Sequence, residues 1–255
     1  MDPIYIAVIF FFVVVMLGAF AGRFARARLP KHHLDADTKD MVKIGVGFLA
    51  TLAALVLGLV VASAKSAFDM RTQEVQAAAA RIIQLDQALA RIGPESAPAR
   101  AMLREVVASR IGQFSRKDFA DSLLRDATGA SSPAVRMSEM IQKLAASDEA
   151  RATAWARVER LVEEVTQIVT QATAQGGSAI MRPMLVLLGF WFATIMAGWN
   201  VISPRNGTTL AVNVLCAVSL AGAILLLLEM DRSFGGLISV SDQPLRAALA
   251  HMSAQ

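Results

Sequence analysis

Four apolar runs without a single charged side chain, Ile4–Ala21, Ile44–Ala64, Met184–Ile202 and Leu210–Leu228, limit what this chain can fold into. Each is about 18–21 residues long, and at about 1.5 Å rise per residue that length matches the hydrocarbon core of a bilayer. The hydrophobic residues, 55% of the chain, are gathered into these blocks rather than spread through one soluble core. The mean hydropathy of +0.49 has the same origin. An integral membrane protein follows, with the lipid bilayer as one of its solvents. The first run is read as a retained helix rather than a cleaved leader. Its basic residues, Arg23, Arg26 and Arg28, follow the apolar stretch, none precedes it, and Pro3 suits a first helical turn.

The runs stand two and two around residues 65–182, which are rich in Ala, Arg, Gln, Glu and Leu. Apolar positions recur there at helical spacing, most clearly through Trp155, Val158, Leu161, Val162, Val165, Ile168 and Val169. Gly93-Pro94 and the stretch Gly129–Pro133 punctuate the region, with further breaks expected near Ser115 or Ser147 and a joint at Gly176. About three long helices are expected here. The first should run on unbroken from the second span, because neither Gly nor Pro occurs between Gly58 and Gly93. The expected fold is all-α: four transmembrane helices in two hairpins (residues 4–21 and 44–64, then 184–202 and 210–228), with a helical bundle at 65–182 inserted between them. Residues 230–255 are expected to form a C-terminal interfacial segment. Ser203–Gly207 reads as the tight turn of the second hairpin, and Asn213, one turn inside the last span, needs a polar partner.

Two patterns within the spans concern helix contact. Gly18 and Gly22 form a GxxxG pair, which permits close backbone approach but also arises from the abundance of glycine in membrane helices. In the second span Ala50, Ala54, Gly58, Ala62 and Ser66 recur every four residues, with Thr51 beside them. That spacing is read as a stripe of small side chains along one helix face, which marks tight helix–helix contact or a wall facing a narrow space.

Charged groups cluster where the second and fourth spans leave the membrane: Lys65, Asp69 and Arg71 on one, Glu229, Asp231 and Arg232 on the other. Ions at a membrane mouth are costly unless paired or hydrated, so Lys65 or Arg71 is expected to pair with Glu229 or Asp231; ordinary interfacial anchoring is the alternative.

Enzyme chemistry finds little support. No HExxH, GxxxxGK[ST], GxSxG or paired-cysteine spacing occurs, and Cys216 is the only cysteine. His32 and His33, with Asp35 and Asp37, could only assemble a metal site with help from elsewhere, and a solvated loop is preferred. No catalytic residue, metal or cofactor is assigned. The net charge of +4 is modest and base-stacking aromatics are not interleaved with it, so nucleic acid is not an expected partner.

The exits of spans two and four resemble the bestrophin family of pentameric anion channels. In residues 57–71, Ser66, Phe68 and Asp69 match in type the turn that follows the apolar neck of that family, with Arg71 displaced by one position. Residues 233–245, SFGGLISVSDQPL, resemble its Pro-Phe-Gly segment and the Asp-Leu-Pro-Leu that follows, with Ser233 in place of the proline and Gln243 interrupting the second half; Phe234, Gly235 and Gly236 form this exit turn. Across nearly its whole length the chain is similar to a large bacterial family of unknown function described as bestrophin-like. The marks are LPKHHL (29–34), LVLGLVVASAKSAFD (55–69), GPE (93–95) and EMDRSFGG (229–236).

The resemblance implies a homo-oligomeric ion channel of the bacterial inner membrane, pentameric and anion-conducting as in bestrophins, with small inorganic ions as its cargo and the second span lining the pore. A non-conducting membrane scaffold or sensor, whose helical domain binds a partner, is the rival reading. Sidedness is read from charge. Arg23, Arg26, Arg28, Lys31, Lys39, Lys43 and Arg205 flank the short loops, against Lys65, Arg71, Arg182 and Arg232 on the other side. That bias puts the short loops in the cytoplasm and the helical domain and both termini outside. The bestrophin resemblance implies the reverse, and the concentration of charge in the first loop decides for the former.

Overall fold

Backbone groups in a bilayer must be satisfied within their own segment, which is why apolar runs of this length form helices. The computed structural model describes residues 3–30, 35–113, 133–146, 151–174, 182–231 and 240–253, and among these all regular structure is helical. The helices are α1 (Pro3–Arg28), α2 (Ala36–Ile92), a single 3-10 turn (Pro94–Ser96), α3 (Ala97–Gln113), α4 (Pro133–Ala146), α5 (Ala152–Ala174), α6 (Arg182–Ile202), α7 (Gly207–Asp231) and α8 (Gln243–Ser253). Four of them, α1, α2, α6 and α7, are long and apolar enough to cross a membrane. The chain is a multi-pass membrane protein.

The helices outrun the apolar segments that define them. α1 continues through Arg23, Arg26 and Arg28, and α2 begins at Ala36, so much of the connection expected between the first two spans is helical. Backbone hydrogen bonding does not stop where side chains turn polar. What starts α2 is Asp35, whose carboxylate accepts the Thr38 N–H at 2.8 Å as an N-cap. That carboxylate, considered above as a metal ligand, is committed to capping; His32 and His33 lie outside the described residues. α2 then runs without a break to Ile92, as expected from the absence of Gly and Pro between Gly58 and Gly93. It stops at Gly93, whose φ of +112° only glycine adopts readily. Ser96 secures the turn, its hydroxyl donating to Leu89 O at 2.6 Å and Gly93 O at 2.8 Å. α4 starts on Pro133, where a proline costs no helical hydrogen bond. The expected breaks near Ser115 and Ser147, the joint at Gly176 and residues 129–132 lie outside the described residues.

The chain divides into two compact units, Met1–Ala67 with Ser178–Asp231, and Phe68–Gly177 with Arg232–Gln255. In the first, α1 packs most closely on α6. A methyl group on Gly18 would collide with the Ala193 backbone, and one on Gly22 with the Ala197 backbone. The GxxxG pair is therefore a true contact site, meeting two alanines that are also four apart. The matching register, 18 with 193 and 22 with 197, makes the two helices parallel. α2 meets α6 in the opposite sense: Gly198 lies against Val46 and Val42, and Ile195 shares an apolar cluster with Val46 and Ala53. Phe11, Val15, Val60, Ala64, Leu188, Ala217, Ile224 and Leu227 form the centre, drawing all four helices together. Phe11 and Phe192 meet edge to face at 6.1 Å.

The polar partner that Asn213 needs is Asn200. The two amides exchange hydrogen bonds, Asn213 Nδ2 to Asn200 Oδ1 at 2.8 Å and Asn200 Nδ2 to Asn213 Oδ1 at 3.2 Å. Both are buried, and the reciprocal pair satisfies groups that hydrocarbon cannot. The turn beyond is capped by Asn206, which accepts the Thr209 N–H at 2.9 Å, while Arg205 Nη2 donates to Arg23 O at 2.6 Å, tying this turn to the end of α1.

The second unit has its own core. Leu85, Leu89 and Ile92 of α2 meet Ala99, Leu103 and Val107 of α3, Met137 and Ile141 of α4, and Trp155 and Val158 of α5. The C-terminal segment, expected at the membrane interface, supplies α8, whose Leu245, Ala248 and Met252 are buried in this core. The buried carboxylate within it is Asp86, 0% exposed, gripped by Arg100 through Nε–Oδ1 at 2.8 Å and Nη2–Oδ2 at 3.0 Å. The bidentate hydrogen bond raises the Arg100 pKa above its ordinary value, outweighing the opposing effect of burial.

Candidate functional site

A helix turns about 100° per residue, so a four-residue repeat advances about 40° around the axis at each step. The series Ala50, Ala54, Gly58, Ala62, Ser66 therefore winds across α2 rather than running along one face. Ala50 is half-buried and packs beside Val46, Ala53 and Ile195, whereas Ala54, Gly58, Ala62 and Ser66 are exposed. Within the first unit the packing face of α2 is instead Val46, Ala53, Val60 and Ala64, all buried. The stripe is thus not one intrachain packing surface. A methyl group on Gly58 would find nothing within 4 Å, and the same is true of Gly47 and Gly45.

The exposed small residues that do align are Gly47, Thr51, Ala54 and Gly58, a line that the larger Val61 and Lys65 continue, spaced alternately four and three apart, which averages the 3.6-residue turn. Strict four-residue counting missed Gly47 and Val61, and a 3.6-residue period recovers them. Thr51 bends its hydroxyl back to Gly47 O at 3.0 Å, which satisfies that donor within the helix. Beside it runs a second exposed strip of bulk, Ile44, Phe48, Leu55 and Leu59, each 63–68% exposed. α2 presents three surfaces: one packed in its own unit, one narrow and small, one broad and apolar. In the most apolar stretches of the four spanning helices, only 17–28% of the residues are buried. Lipid or further copies of the chain must cover the rest.

At the end of this strip, Lys65 lies in the first unit with Glu229 and Asp231, while Asp69 and Arg71 belong to the second. Ala64 and Leu228, the residues just before Lys65 and Glu229, pack in one apolar cluster, so both charges stand at the same end of the helices. Glu229 is 3% exposed, Arg71 9%, and Lys65 is exposed. Lys65, Asp69, Arg71, Glu229 and Asp231 all take part in polar or electrostatic interactions. Phe68 packs half-buried against the core of the second unit. Arg232, Phe234, Gly235 and Gly236 lie outside the described residues.

The family model of the Bestrophin-like domain matches residues 5–245, and the chain belongs to this family. No curated protein and no solved structure matches it.

Proposed function

We propose that this bestrophin-like chain is the subunit of an oligomeric ion channel in which α2 lines the pore. The observation that carries the reading is the small-residue strip through Gly47, Thr51, Ala54 and Gly58. It is exposed and has open space above its glycines, on a helix already anchored through another of its faces. A ring of such strips would make a narrow apolar constriction of the kind that gates by dewetting, and the bulky strip beside it offers a surface to the neighbouring subunit or to lipid. A pentamer conducting anions is what the bestrophin resemblance adds.

Reconstituted into liposomes, the intact oligomer is expected to pass halide above the level of empty vesicles. Gly58→Trp should reduce that flux at least tenfold while leaving the oligomer assembled. Absence of flux from an oligomer shown to be intact would overturn the channel reading. The rival, a non-conducting scaffold or sensor, draws on the second unit, which has a complete core of its own. A monomer or simple dimer without an axial path would favour it.

We place the spans as two hairpins in a bacterial inner membrane, with the helical domain inserted between them. The Arg23, Arg26, Arg28, Lys39, Lys43 and Arg205 end is taken as cytoplasmic and the helical domain and termini as external. A reporter active only outside the cytoplasm, fused after Gln255, should then be active; activity from the cytoplasmic reporter alone would invert the topology.

A further inference from the structure

In the second unit, α2 and α5 bound an open groove of about 300 Å³. Gln84, Gln87 and Arg91 reach it from α2, at positions i, i+3 and i+7 of one helix face, and Thr153 and Arg157 from α5, one turn apart. Two alanines form the rest of its wall.

The chemistry of this lining is one-sided. Both charged groups are guanidiniums, and among the described residues no carboxylate lines the groove. Among the described residues, three carboxylates of these helices and the turn between them are engaged elsewhere: Asp86 with Arg100, Glu95 with Arg151 and Glu164 with Arg81. Glu95 is held below the usual carboxylate range, first by its own backbone N–H and then by Arg151, so it stays an anion bound to that partner at neutral pH. The Gln87 amide nitrogen is already engaged, 3.3 Å from His251 Nε2, whereas the Gln84 amide is oriented as a donor. Arg81 Nη1 occupies the Gln84 carbonyl oxygen at 2.8 Å, which leaves the Gln84 NH₂ to donate. Thr153 stands in the first turn of a 23-residue helix, where backbone N–H groups lack intrahelical acceptors and the helix dipole is positive.

We propose that this groove binds a small phosphate-bearing anion, with one phosphate held by Arg91 and a second by Arg157, Thr153 and the first turn of α5. Its volume exceeds a single phosphate and reaches the lower range of small-molecule pockets, which suits a diphosphate group. Guanidinium pairs recognise such oxygens through forked, charge-assisted hydrogen bonds. The site involves no residue of the proposed pore and stands independently of the channel reading.

The test is thermal unfolding of the full-length protein in detergent, titrated with inorganic pyrophosphate at constant ionic strength, with orthophosphate and sulfate as comparisons. A saturable rise in Tm is expected, at lower concentration for pyrophosphate than for the single anions. Arg91→Gln and Arg157→Gln should each raise the half-saturating concentration roughly tenfold or more. Both side chains are exposed, so the variants should fold with an unchanged circular dichroism spectrum; Thr153→Val provides a milder second probe. A short-chain phosphatidic acid separates the sources: saturation by it but not by pyrophosphate keeps the phosphate chemistry and assigns it to a lipid headgroup. No saturable shift, or the same shift in the Arg91→Gln/Arg157→Gln double variant, overturns the proposal.

Discussion

Gly22→Leu is expected to lower the thermal stability of the detergent-solubilised protein sharply, and Gly18→Leu to do the same, whereas Gly58→Leu leaves it unchanged or slightly raised. All three glycines lie inside helices, where leucine has the better propensity by about 1 kcal/mol. Propensity alone would make every one of these substitutions favourable. Packing reverses the sign at two of them. The obstacles at Gly18 and Gly22 are the main chains of Ala193 and Ala197, which cannot rotate away as a side chain tip could. The helices must separate, and overpacking of this kind costs about 1–3 kcal/mol or more per site. At Gly58 the space is open. Equal melting temperatures for Gly22→Leu and Gly58→Leu would show that α1 and α6 do not approach as described.

Arg100→Met should be the most damaging single substitution in the second unit, costing about 3–5 kcal/mol. It strands the Asp86 carboxylate, which is 0% exposed and cannot turn to water. Removing both charges is a different matter. Asp86→Leu with Arg100→Met deletes the desolvation penalty along with the pair, and such replacements are often neutral or stabilising. The double variant is therefore expected to recover most of the stability that the single variant loses, as read by denaturant unfolding followed at 222 nm. A double variant as unstable as Arg100→Met would show that the site needs its ion pair for more than charge balance.

What could be read in the sequence was whatever depends on one segment at a time. The spanning helices follow from apolar length. The continuity of α2 follows from the absence of Gly and Pro between Gly58 and Gly93, whereas the GxxxG pair allowed a contact surface that the abundance of glycine in membrane helices would explain as well. Harder to read were features set by partners distant in the chain. Asn213 declares that it needs a hydrogen-bond partner, but not that Asn200 supplies it. Asp86 and Arg100 look like ordinary surface charges of Ala-rich helices until the core closes over the carboxylate. Leu245, Ala248 and Met252 give α8 an apolar edge that suits a membrane surface as well as a protein core. The small-residue series on α2 misled for a geometric reason: a four-residue count is close to a helical turn, yet its error accumulates to about 160° over four steps. That is enough to carry Ser66 nearly to the far side of the helix from Ala50.

The pairing of α1 with α6 also sets a schedule. Gly22 and Ala197 are separated by 175 positions (197 − 22). At about 5–20 residues per second of synthesis, roughly 9–35 s pass between the emergence of one surface and the arrival of the other. During that interval the glycine notch of α1 sits in the bilayer with its intended neighbour still unmade, open to lipid tails, to an insertase or to the same notch on another nascent copy. Assembly of this protein is therefore a late event, decided when the third span arrives.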